Sequence, residues 1–298
     1  MAQKNEEKSI ALPINKLCDK NKINEIIVTI KIGKGDVNKN IYFLDNTDYI
    51  DEDSKINHFH DNLKELNKLN TELFINDKKY EFQKYFIPKK EGVYSIRIKF
   101  NIFIKNCSYM FNECQNIINI DLSSFETSNT IDMSYMFAYC YKLKNINLFS
   151  FNTENVTDMS YMFAFCHNLS SLDLSSFNTI NVMNMNNMFA YCYILKDLNF
   201  SSFKTTKVIN MSYMFSNCEN LIKLDLSYFD TQKVNDMSYM FSSCYKLTYI
   251  DLSNFALGEE TNFNGIFFPC SSLNKIKIKK EFFLKIKKEI NSNIEIIS

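Results

Sequence analysis

Nine cysteines are the most reactive side chains in this 298-residue chain, and seven of them share one interval. Cys114, Cys140, Cys166, Cys192, Cys218, Cys244 and Cys270 each lie 26 residues from the next. A thiolate can attack a carbonyl, pair as a disulfide or ligate a metal. If each interval forms one coil, successive Cα atoms stand about 4.8 Å apart, inside the disulfide range. Seven thiols in single file cannot all pair, however, and a line of them cannot surround a metal tetrahedrally. The sequence also holds no C-x-x-C pair. The column is expected to be a buried thiol ladder whose members pack as small hydrophobes. No metal and no cofactor are expected, and unpaired cysteines point to a reducing compartment.

Two more columns keep the same step. Asp121, Asn147, Asp173, Asn199, Asp225 and Asp251 suit a cation or a basic protein ligand. Equally, they suit a solvated row bonded locally to Ser123, Ser175, Ser227 or Ser253; metal is the weaker reading, a protein ligand the stronger. Tyr109, Tyr135, Tyr161, Tyr213 and Tyr239, with Tyr141, Tyr193 and Tyr245 beside the cysteines, read either as an interface or as half-buried bridges between coils. His58 and His60 flank Phe59 without a third ligand and read as a surface pair. Ile32-Gly33-Lys34-Gly35 lacks the spacing of a phosphate loop. No nucleophile–base motif stands out and only five glycines are present, so no catalytic residue is assigned and an enzyme is not expected.

These columns require a repeating scaffold. Phe111, Phe137, Phe163, Phe189, Phe215, Phe241 and Phe267 precede the cysteines in constant register. Each cysteine is followed by C-x-x-L-x-x-L-x-L-x-x-F, whose L-x-L has strand period. The other half reads N-T-x-N-V-x-D/N-M-S-Y-M-F, too short for a full helix. One short strand per coil is expected, stacked in parallel, with short helical turns opposite. One unit cannot bury its own Leu, Phe and Met side chains, so neighbours bury them for each other.

The unit M-S-Y-M-F-x-x-C-x-x-L-x-x-L-D-L-S-S-F-N-T-x-N-V-x-D resembles the BspA-like leucine-rich repeat family, which includes the 26-residue "surface protein" repeats of mycoplasmas and protists. The resemblance covers roughly residues 106–280. It implies a leucine-rich-repeat-like solenoid that serves protein–protein contact or adhesion, with no enzyme activity.

Three segments follow. Residues 1–104 read as a small, mainly β region that caps the array or recognises a partner. Ile23 to Ile32 and Val93 to Ile104 alternate as strands, and Ile41 to Leu44 is expected to pair with the first of them. Asp45 to Ser54 reads as a loop and Asn62 to Asn70 as a short helix. Leu73 to Ile75 and Tyr80 to Phe82 form a hairpin, and the last strand is expected to join the solenoid sheet. Residues 105–280 form about seven coils, and 281–298 a helical cap that begins in an amphipathic stretch from Lys279 to Ile290.

Lys plus Arg and Asp plus Glu number 34 each, and Arg97 is the only arginine, so nucleic acid is not expected as a partner. No apolar run is long enough to span a bilayer. Without a leader in the first residues, a cytoplasmic location is expected, or the cell surface if an export signal was removed. The expected function is a monomeric scaffold that binds another protein on the strand face, through Asp173, Asp225, Asp251, Lys144, Lys196, Lys223, Tyr249 and Phe149. The alternatives are a surface adhesin and a regulatory module of a signalling protein.

Overall fold

The computed structural model describes residues 23–45, 62–256, 258, 260–290 and 292–297. The front region is built on β1 (Glu25–Ile32), where Ile26, Val28, Ile30 and Ile32 alternate inward. β2 (Ile41–Tyr42) follows. Then come β3 (Thr71–Ile75) and β4 (Lys78–Tyr80), a hairpin turning at Asn76 and Asp77, whose φ values are 49° and 62°. Two left-handed residues make the tight hairpin turn whose twist suits the strands. β5 (Tyr85–Phe86) and β6 (Gly92–Phe100) complete the region.

Three local expectations change. β2 pairs with β5, not with β1. Residues 62–70 form turns instead of a helix, because asparagines compete for the backbone. The Asn70 carboxamide accepts from Asn67 N–H at 2.9 Å and donates to Glu65 C=O at 2.7 Å. The strand that joins the array is β1, not β6. β1 lies between β6 and β7 (Ile117–Asp121), antiparallel to both. The front region thereby covers the open edge of the first coil, and its apolar residues belong to the same core as those of the array. The Asp45–Ser54 loop, apart from Asp45, and His58 and His60 lie outside the described residues.

The array is the expected solenoid. β8 (Asn145–Asn147) runs parallel to β7. Farther on, β9 (Lys223–Asp225), β10 (Tyr249–Leu252) and β11 (Lys275–Ile278) form a second parallel set. The strand ladder opens at residues 171–173 and 197–199. The coils stay joined there by a second, uninterrupted ladder of single bridges: Asn106, Asp132, Asp158, Asn184, Asn210, Asp236 and Asn262.

Opposite the strands, tight turns replace the expected helical ones. In residues 133–140, the N–H groups of Ala138 and Cys140 fold back three residues. The alternate N–H groups of Met133, Tyr135, Phe137 and Tyr139 donate to Asp158, Ser160, Met162 and Ala164 of the next coil, at 2.8–3.0 Å. Tyr135 and Tyr139 hold φ values of 57° and 60°. A left-handed residue every fourth position stops helix propagation and turns half of the amides toward the neighbouring coil.

Inside, Phe137, Phe163, Phe189, Phe215 and Phe241 stack at 5.3–5.7 Å, flanked by fully buried methionines. Each such side chain contributes roughly 1.5–3 kcal/mol by leaving water. The tail differs from a plain helical cap. α1 (Lys280–Ile286) lasts seven residues and buries Phe282 and Ile286. β12 (Glu295–Ile297) then adds a parallel rung to β11, with Ile294 and Ile296 packed on the core.

Candidate functional site

The described cysteines are all free. Each thiol from Cys140 to Cys270 donates to the carbonyl of a phenylalanine in the preceding coil, Cys166 to Phe137 at 3.2 Å and Cys192 to Phe163 at 3.1 Å. Burial pushes the Cys192 thiol up to about 12 and raises the others in the column. A thiol so held is neither a nucleophile nor a metal ligand at neutral pH.

The acidic column is also built into the backbone. Asp121, Asn147, Asp173, Asn199, Asp225 and Asp251 each accept the N–H of the residue two ahead, at 2.9–3.2 Å. The Ser175 N–H is the main cause holding the Asp173 carboxyl below its ordinary range. These are corner turns, made by either Asp or Asn because both offer the acceptor.

Of the residues expected to meet a partner, Asp173, Asp225, Lys144, Lys196 and Lys223 are exposed and Tyr249 is half-buried. Phe149 is 84% exposed. Asp251 is a correction: it is only 6% exposed and already engaged. Lys277 Nζ lies 2.9 Å from its Oδ2, and the Tyr249 hydroxyl lies 3.5 Å from the same oxygen. Burial opposes ionisation of Asp251, but Ser253 and Lys277 prevail and hold its pKa low. A carboxylate so paired is not available to a docking protein.

Two structural devices went unread in the sequence. Thr127, Thr153, Thr179, Thr205 and Thr231 are buried. Each hydroxyl donates to a carbonyl 25 residues ahead and accepts that same residue's N–H; for Thr179 the partner is Lys204, at 2.9 and 2.7 Å. The signal was the threonine recurring just after the phenylalanine that closes each strand segment. The second device is backbone hand. Tyr109, Tyr135, Tyr161, Tyr213 and Tyr239 all have φ between 55° and 61°, which tyrosine rarely adopts and which no spacing rule reveals.

The tyrosines do line up, as bridges and as a surface together. Tyr109, Tyr135 and Tyr161 stack at 4.6 and 4.4 Å. Burial raises their hydroxyl pKa values, that of Tyr109 to about 12. Two aromatic rows stand beside them. Tyr139, Phe165 and Tyr191 stack at 4.4 and 4.3 Å. Tyr141, His167 and Tyr193 follow at 4.7 and 4.6 Å, tilted. All six of these rings are half-buried. In the flanking coils, the places of Tyr139, Phe165 and Tyr191 are held by Glu113, Asn217 and Ser243, with the same positive φ. The backbone therefore asks for no aromatic group there, and the panel is confined to three coils.

A family model described as "Mycoplasma protein of unknown function, DUF285" matches residues 105–221 and 194–285. Among solved structures, the chain is similar to a leucine-rich repeat protein from Bacteroides ovatus ATCC 8483. Sequence identity is 16% and the TM-score 0.30, and the alignment covers 67% of this chain and 65% of that one. No curated protein matches the chain.

Proposed function

The chain belongs to the DUF285 family, and from its geometry we propose that it is a protein-interaction scaffold that binds a partner on the turn face of its solenoid. The observation that carries this reading is the six-ring panel of Tyr139, Phe165, Tyr191, Tyr141, His167 and Tyr193. Aromatic side chains at left-handed positions are costly to fold and favourable to dock. The structure uses Glu, Asn or Ser at the same place where no panel is made. The chain acts by binding, not by catalysis, and its unpaired buried thiols suit a reducing, cytoplasmic setting. No helix among the described residues is long and apolar enough to cross a membrane.

The test is the triple variant Tyr139→Asn, Phe165→Asn and Tyr191→Asn, with affinity capture and cross-linking of the full chain. The expected result is a melting temperature within a few degrees of the parent and loss of a captured protein. Unchanged capture by the triple variant overturns the turn-face assignment.

A second surface lies on the strand face, favoured by the exposure of Phe149. All five other positions of its column are serine, from Ser123 to Ser253. Asp173, Asp225, Lys144, Lys196, Lys223 and Tyr249 surround this proposal; Asp251 does not. Phe149→Ser, which restores the column residue, is expected to weaken a partner held there and to leave the fold intact.

A further inference from the structure

One rung of the tyrosine column is missing. Tyr161 stacks on Tyr135 and Tyr213 stacks on Tyr239, but Asn187 occupies the coil between them. Asn187 keeps the left-handed backbone of the column, φ 57°, and its N–H donates to Ser212 as the tyrosines' N–H groups do to theirs. Only the ring is absent. At about 4.8 Å per rung, the facing rings of Tyr161 and Tyr213 stand about 9–10 Å apart. A planar group placed midway meets each ring at the distance that separates the stacked neighbours on either side. The Tyr213–Tyr239 pair bordering the gap is the loosest of the column, at 5.0 Å and 18°, against 4.4 Å and 6° for Tyr135–Tyr161.

The floor is polar. Asn187 is nine-tenths buried as a residue, while its side-chain amide still reaches solvent at the gap and can offer a ligand a hydrogen bond. The Tyr191 hydroxyl is close enough to act electrostatically on those of both Tyr161 and Tyr213. Asp236 acts on Tyr213 as well. Residues 105–280 carry fifteen carboxylates against thirteen lysines and no arginine, so the array is slightly acidic, and Asp236 near Tyr213 makes the field there favour a cation.

We infer that the gap between Tyr161 and Tyr213 is a binding slot for an arginine side chain of a protein partner. The guanidinium is flat, stacks on aromatic faces and carries donors in its plane. Inserted here, it supplies the missing rung and donates to the Asn187 carbonyl oxygen and to the tyrosine hydroxyls. A lysine ammonium matches the charge but not the shape. The slot deepens the docking reading above, since a partner protein must supply the arginine, but the two can fail separately.

The probes are blocked Gly-Arg-Gly and Gly-Lys-Gly peptides and adenosine, titrated into the full chain. NMR follows the Asn187 side-chain amide and the Tyr161 and Tyr213 ring signals. The arginine peptide is expected to shift these signals and to bind at least about tenfold tighter than the lysine peptide. Asn187→Tyr, which fills the rung with the column residue, is expected to abolish that preference with no loss of thermal stability. Tyr213→Ala, which removes one wall, is a second route to the same loss. Equal affinity for the two peptides, tighter binding of adenosine, or arginine binding that survives Asn187→Tyr overturns the slot. A partner still lost on removing the Tyr139, Phe165 and Tyr191 rings leaves the docking reading standing when the slot fails. A partner indifferent to those three rings overturns the docking reading whatever the slot does.

Discussion

The strand face and the turn face both carry side chains that recur every 26 residues, yet they do different work. On the strand face, the Asp/Asn column runs through six successive coils because each corner needs an acceptor for the N–H two residues ahead. On the turn face, the left-handed position before the cysteine carries an aromatic ring in three adjacent coils, Tyr139, Phe165 and Tyr191, and gives way to Glu113, Asn217 and Ser243 elsewhere. What every coil repeats is what stacking requires. What a few coils add, at a position where the backbone accepts something simpler, is not required by stacking. Periodicity alone ranks these columns wrongly, because it makes the most regular one look the most significant.

This contrast can be broken in graded steps. The deepest cut goes through the core that the two faces share. Leu174, 1% exposed, sits among apolar groups, and Leu174→Asp buries a charge without a counterion. Urea denaturation is expected to show a loss of at least about 4 kcal/mol or no cooperative transition; an unchanged curve contradicts the stacked core.

A smaller effect comes from a column that repeats but carries no binding role. Thr179→Val leaves the Lys204 N–H and C=O without their partner. The expected loss is about 1–3 kcal/mol in the same denaturation experiment, with Thr179→Ser retaining most of the stability. A neutral valine would show that the threonine ladder is incidental.

The smallest step separates charge from geometry on the strand face. Asp173→Ala removes one exposed acceptor and is expected to cost about 0.5 kcal/mol, reduced by solvent screening. Asp173→Asn keeps the acceptor and is expected to cost nothing, as Asn147 and Asn199 already show in the same column. The pH dependence sharpens the point. The folded pKa of Asp173 is depressed from 3.8, so its contribution is fully present above the unfolded value and is lost as pH falls through the folded one. Asp173→Asn should remove that acid-limb contribution. A steeper pH dependence in the amide variant than in the parent would refute the corner-turn assignment.

The sequence carried the solenoid because burial period and register are written directly in residue type. Phe137, Leu143 and Cys140 can only point inward if the coils are to pack. The buried thiols were legible for the same reason. Other features were hidden because they depend on backbone hand or on hydrogen bonds across coils. The left-handed tyrosines carry no local mark, since turn chemistry usually advertises itself with Gly or Asn. Asp251 looked like its exposed column mates until β11 placed Lys277 beside it. Of the panel's tyrosines, Tyr141 and Tyr193 were read in the sequence and Tyr139 and Tyr191 were missed, and the restriction of the left-handed row to three coils gained meaning only once Glu113, Asn217 and Ser243 proved to share the same φ. The missing rung at Asn187 is a break in a pattern, and its consequence depends on knowing that the intact pattern is a stack of rings.

The forward-pointing amides have an outcome at the far end of the molecule. At the place in each coil held by Tyr109, Tyr135, Tyr161, Asn187, Tyr213 and Tyr239, the N–H donates to the following coil. At Gly265 no further turn of this kind stands ahead among the described residues, and the Glu289 carboxylate accepts that N–H at 3.0 Å instead. Gly265 itself holds φ 63°, and a Cβ there would meet the Tyr239 ring at 2.5 Å. Glu289 thus serves as a terminator. Nothing in the geometry of one coil sets a limit on how many can follow, and a bare donor row at this end would be an invitation to end-to-end polymerisation; the Glu289 carboxylate covers one donor of that row.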